Sequence, residues 1–133
     1  MRPWKKRLRE PAPASELPPL DVTVEHTSYG ALVAIAGELD MATVPRVSAA
    51  LEAEPAASAG AVVIDLAGVT FIDSTGLGAL VKLEHSLAAR GGRLAIACPE
   101  GPARLLLDVT GLAELLAVFA TRAEAEASAT GKA

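Results

Sequence analysis

The stretch FIDSTGLGAL, residues 71–80, sets an aspartate, a serine and a threonine directly after an apolar run and follows them with two glycines. Two chemistries are open to Asp73, Ser74 and Thr75. One is a helix N-cap, in which the side-chain oxygen of Asp73 or Ser74 accepts from a first-turn amide, worth about 1 kcal/mol. The other is a modifiable hydroxyl shown to a partner. Gly76 and Gly78 shift weight to the second. Each costs a helix on the order of 1 kcal/mol relative to alanine, and a cap needs neither. Close approach by another backbone, or a bulky group on the serine, accounts for both. A phosphate on Ser74 would meet free amides and the positive end of the helix dipole.

Catalytic and metal chemistry find less support. A nucleophile elbow needs G-x-S-x-G, but Ile72 stands where the first glycine belongs. His85 falls along the following helix with no positioned carboxylate. GLGALV fails the dinucleotide fingerprint at Val81, and no phosphate-binding loop motif occurs. His26, His85 and Cys98 lack metal-ligand spacing, and Cys98 reads as a small apolar residue at a strand end. The sequence therefore points to no catalytic residue, no metal and no cofactor.

The elements that must position Ser74 alternate between strand and helix. LDVTVEHT, from Leu20, alternates apolar and polar residues as a half-exposed strand does. A short turn at Tyr29 and Gly30 leads into ALVAIAGEL, so the pair forms an antiparallel hairpin. DMATVPRVSAALEAE follows as a helix, with Val44, Val47 and Leu51 at helical spacing, Asp40 as N-cap candidate and Pro45 in the first turn. AVVIDLAG is a β-branched run of the kind buried on both faces of a parallel sheet. TGLGALVKLEHSLAARGG is a helix stopped by Gly91 and Gly92, and RLAIAC a central strand. GPARLLLDVTG is a short helix, LLAVFA a last strand, and TRAEAEASA a helix opening at Thr121. The expected fold is α/β, a mixed and mainly parallel sheet of about five strands flanked by about four helices. Asp40, Asp73 and Ser74 then follow neighbouring strands and converge on one edge, where sheets of this kind gather function.

A chain of 133 residues is one domain on length. Its 51% hydrophobic and 3% aromatic content implies a core of Ala, Val, Leu and Ile rather than a large aromatic-lined pocket. Boundaries fall at a basic, proline-rich and disordered leader over 1–19, a domain over 20–129, and a flexible end over 130–133. In the leader Arg2, Lys5, Lys6, Arg7 and Arg9 outweigh Glu10 and Glu16 to give +3. With a net charge of −4 for the chain, the remainder carries −7. An acidic body is a poor nucleic-acid binder, and no apolar run approaches a membrane span. Trp4 among basic residues offers at most a surface contact with a membrane or an acidic partner. One cysteine forms no internal disulfide, and the N-terminus lacks the apolar core of a secretory signal, so a reducing cytoplasm is the expected compartment.

VVIDLAGVTFIDSTGLGAL, together with GELDMATVP upstream, resembles the STAS domains of bacterial anti-sigma factor antagonists. The likeness extends from about Leu20 to about Ala129. It implies that Ser74 is the phosphoacceptor of a partner anti-sigma factor, a serine kinase of the histidine-kinase-like ATPase fold. A serine phosphatase resets the switch. Asp40, Met41, Asp73, Ser74, Thr75, Gly76 and Leu77 are then the partner-binding residues. Met41 and Ala42 depart from the polar residues common after the aspartate in that family, a difference that bears on partner choice. The alternative implied by related domains is a non-switching docking module in a transport or signalling complex.

Overall fold

A computed structural model describes residues 20–53 and 60–131. The expected disordered leader, and the end of the expected flexible tail at 132–133, lie outside the described residues. Strand β1 (Leu20–His26) pairs antiparallel with β2 (Gly30–Leu39), from Leu20 opposite Gly37 to His26 opposite Ala31. Helix α1 (Val44–Glu52) leads to β3 (Ala61–Ile72), α2 (Ser74–Ala88) to β4 (Arg93–Ala97), and α3 (Pro102–Val109) with α4 (Leu112–Leu115) to β5 (Ala117–Phe119). Helix α5 (Arg122–Ala129) closes the described chain. The sheet order is β1-β2-β3-β4-β5, parallel from β2 onward.

Residue alternation along the buried strands splits the core into two layers, because successive side chains point to opposite faces. Val33, Ile35, Val62, Ile64 and Ile96 pack with Val47, Leu77, Leu80 and Leu107 from α1, α2 and α3. Leu32, Val63, Ala95 and Ala97 pack on the other face with Ala125 and Ala129 of α5. Small residues on both sides let α5 sit close to the sheet, as the low aromatic content requires. Thr121 and Glu124 form a complete capping box that starts α5 where the sequence places it.

The expected mixed sheet of about five strands flanked by about four helices is present, with two differences of detail. A fifth described helix, α4, takes up the start of the run read as a strand. Gly111 adopts a left-handed conformation (φ 78°) that breaks α3 from α4, so LLAVFA is divided between the end of α4 and β5. The strand read as AVVIDLAG runs on to Ile72, because Gly37, Glu38 and Leu39 of β2 continue to pair with it. None of the described helices is long and apolar enough to cross a membrane.

Candidate functional site

Register brings the two loops together. Ala34 lies opposite Asp65, but two irregularities insert an extra residue each on the β3 side, so that Leu39 faces Ile72. Without them Leu39 would face Thr70, two residues out of step. The bulges therefore set the residues that follow, Asp40 and Asp73, at equivalent positions on the carboxyl rim of the sheet. The backbone N–H of Asp73 donates to the Leu39 carbonyl at 3.2 Å, fixing that alignment.

Asp73 is the N-cap of α2. Its Oδ1 accepts from the Gly76 amide at 2.9 Å, while Oδ2 accepts from the Met41 amide at 3.4 Å. One carboxylate thus caps the helix and ties down the neighbouring loop. Asp40, expected as the N-cap of α1, plays a different part. The cap position belongs to Thr43, whose side chain makes no cap bond. Asp40 instead closes a turn, accepting from the amides of Ala42 at 3.0 Å and Thr43 at 3.1 Å. The turn displaces the helix start by three residues, and a short polar side chain folded onto its own backbone is the reason.

Thr43 is the residue that sequence reasoning missed. It is the buried polar side chain of the described core, with no exposed surface. Its hydroxyl donates to the Glu38 carbonyl at 2.6 Å and accepts from the Asp40 amide at 3.0 Å. A hydroxyl placed three residues after an aspartate and before a helix-starting proline is the signal that marks it.

Ser74 occupies the first helical position and is exposed, as is Thr75. The N-cap is Asp73, and the Ser74 hydroxyl beside it stays exposed. Gly76 and Leu77 are buried and do not form a contact surface. A Cβ on Gly76 would lie 2.6 Å from the Leu39 carbonyl oxygen and 2.8 Å from Ile72 Cγ1, so the close backbone approach is real at that position. At Gly78 a Cβ would meet nothing within 4 Å. Met41 stands 74% exposed and Phe71 48% exposed beside the two loops, the second another residue the sequence did not single out. Ser74 thus sits on a rim with Asp40 and Asp73, with the exposed side chains of Met41 and Phe71 near by in the chain.

Elsewhere, His85 lies exposed on α2. Cys98 is buried, and burial pushes its thiol pKa up, the signature of a packing residue. Among the described residues no group of three or more His, Cys, Asp or Glu is placed to hold a metal.

The STAS domain profile matches residues 21–125. The chain belongs to the STAS domain family. An anti-sigma-B factor antagonist of Listeria monocytogenes is 34% identical over 84 residues, which cover 63% of this STAS chain and 74% of that protein. An anti-sigma F factor antagonist of Paenibacillus polymyxa is 29% identical over 101 residues, 75% of this chain and 86% of that one. The crystal structure of an anti-sigma factor antagonist from Mycobacterium paratuberculosis has a TM-score of 0.76 at 28% identity, covering 84% of this chain and 95% of that one. This STAS domain falls within the anti-sigma factor antagonist family.

Proposed function

We propose that this STAS domain is a cytoplasmic anti-sigma factor antagonist switched by phosphorylation of Ser74. Unmodified, the rim of Asp40, Met41, Asp73, Ser74 and Thr75 docks on an anti-sigma factor that is itself a serine kinase of the histidine-kinase-like ATPase fold. Docking frees the sigma factor. Transfer of phosphate to Ser74 ends it, and a serine phosphatase restores it. The observation that carries this reading is the exposed Ser74 hydroxyl at the first position of α2, beside an aspartate whose carboxylate is already committed to two backbone amides.

That commitment also favours a binding switch over an enzyme. Asp40 and Asp73 hold loop backbone and are not poised to move a substrate proton. Electrostatics supply the switch. Phosphate adds about −1.5 to −2 charges to a rim that already holds two carboxylates, Asp40 and Asp73, in two adjacent loops. A like-charge contact about 4 Å apart costs about 1 kcal/mol in water and about 4 kcal/mol at an effective dielectric near 20. Those costs are about fivefold and about a thousandfold in affinity. No conformational change is required, because the modified serine stays at the positive end of the helix dipole.

The test is capture from lysate of the source cells with wild-type and Ser74→Asp baits in parallel, followed by ATP addition and mapping of the phosphorylated residue. The expected result is a kinase recovered by the wild type alone that places one phosphate on Ser74. Equal recovery by both baits, or recovery of transport components, would establish a constitutive docking module instead.

A further inference from the structure

Helices α1 and α2 start side by side at the carboxyl rim, and a groove of about 770 Å³ runs between them over β2 and β3. Ile35 and Ile64 form part of its floor, Leu51 and Leu83 part of its walls. Val44, Leu51, Ala79 and Leu83 are only half-buried along it. Thr75 lies at its mouth, beside Ser74, and Glu52 and Arg90 lie towards its far end. Gly78 lines it as well. This glycine costs helix stability on the order of 1 kcal/mol, yet no neighbour comes within 4 Å of where its Cβ would stand. Packing within the described domain does not call for it. What its missing side chain does is keep the wall of the groove low.

We propose that the chain's own leader, residues 1–19, fills this groove, with Trp4 and Leu8 between α1 and α2 and the basic residues around them facing the carboxylates at its mouth.

Attachment and reach allow it. The leader joins the domain at Leu20, whose carbonyl accepts from Arg46 Nη2 of α1 at 2.8 Å. Leu20 pairs with Gly37, three residues before Asp40. Leu20, the first described residue, therefore lies against α1, on the side of the sheet rim. Residues 9–19 alone span up to about 36 Å when extended, against about 14 Å for the nine-residue α1. A tether of this length holds the segment at an effective concentration on the order of millimolar.

Charge sets the orientation. Residues 1–9 carry five cations, Arg2, Lys5, Lys6, Arg7 and Arg9, and no anion. Asp40 and Asp73 lie at the mouth, whereas Lys82, Arg90 and Glu52 line the farther part of the groove and leave it with one net positive charge. A basic segment with apolar side chains at positions 4 and 8 thus seats in the mouth-side half, over Gly78. In that position the leader lies beside Ser74 and competes in cis with a docking partner. This last consequence rests on the switch reading of Ser74; the occupancy of the groove does not.

Trp4 is the single tryptophan of the chain, so its fluorescence reports the leader directly and needs no partner protein. Acrylamide quenching is compared between the full chain and a synthetic peptide of residues 1–19. The full chain is expected to be quenched several-fold less, with blue-shifted emission, at every protein concentration. Gly78→Met fills the groove and should restore peptide-like quenching, while Gly78→Ala should leave the protection intact. Ser48→Arg, on the exposed edge of the opposite wall, provides a second block that leaves the core untouched. Peptide-like quenching in the wild-type chain would overturn the proposal. So would protection that grows with concentration, which assigns the groove to a second copy, or protection that survives both blocks in folded protein.

Discussion

The two ends of the sheet are built to opposite purposes. At the carboxyl rim, side chains bond to nearby backbone. Asp40 closes its own turn, Thr43 bonds across it, and Asp73 caps α2 while holding the next loop. None of these bonds ties up the Ser74 hydroxyl. At the amino end, side chains join elements distant in sequence. The Tyr29 hydroxyl donates to Glu126 Oε2 at 2.9 Å, and Arg93 reaches the Ser128 carbonyl at 3.3 Å. One end fixes the two loop backbones beside the exposed Ser74 hydroxyl. The other fastens α5 to the sheet. The loops beside Ser74 are held by bonds from side chain to backbone, of which Asp73 to Met41 crosses from one loop to the other, and Ser74 itself stays exposed.

Charge tests the contrast most severely. Ser74→Asp should lower affinity for the anti-sigma factor by roughly fivefold to a thousandfold, the range set by one like-charge contact. Ser28→Asp, exposed at the amino end, should leave that affinity unchanged in the same titration. The next effect is steric. Gly76→Ala forces a Cβ against the Leu39 carbonyl and Ile72 and should cost about 1–3 kcal/mol in denaturant unfolding. Gly78→Ala, in open space on the same helix, should instead raise stability by about 0.5–1 kcal/mol.

Thr43→Val sharpens the comparison inside the rim. It strands the Glu38 carbonyl and the Asp40 amide, so a loss of about 1–3 kcal/mol is expected in thermal or urea unfolding. Weaker partner docking should accompany it. At the amino end Tyr29→Phe should cost less, about 0.5–1.5 kcal/mol, with docking unaffected. Burial, followed by the bond to Glu126, pushes the Tyr29 pKa up to about 12. The folded state therefore favours the protonated phenol, and this contribution is fully present below the ordinary pKa near 10. It is lost as the pH rises from about 10 to about 12. Wild type should lose stability over that window more steeply than Tyr29→Phe.

The sequence made much of this visible, for identifiable reasons. The β-branched run at 61–66 has no other comfortable place than a buried strand, and Thr121 with Glu124 announces α5 outright. Convergence of Asp40 and Asp73 was legible because both follow strands that a crossover makes neighbours. The register that aligns them was not, since it depends on two irregularities at which Gly68 and Gly37 stand, and a glycine in a strand does not by itself reveal how many residues the pairing skips. The turn of α4 was hidden for another reason. A short apolar run after a glycine suits a strand as well as a buried turn of helix, and only packing decides. The paired glycines looked like one signal and proved to be two. Gly76 answers to the Leu39 carbonyl, while Gly78 answers to no contact in the described domain. Thr43 escaped notice because its role lies in two backbone partners rather than in any motif.

The most direct test of the switch is a binding titration of the anti-sigma factor against the chain in two forms, unmodified and phosphorylated on Ser74, with circular dichroism recorded on both. The expected result is an affinity lower by up to about three orders of magnitude for the phosphorylated form, with superimposable spectra. Equal affinities would contradict it, and so would a loss of binding that coincides with unfolding.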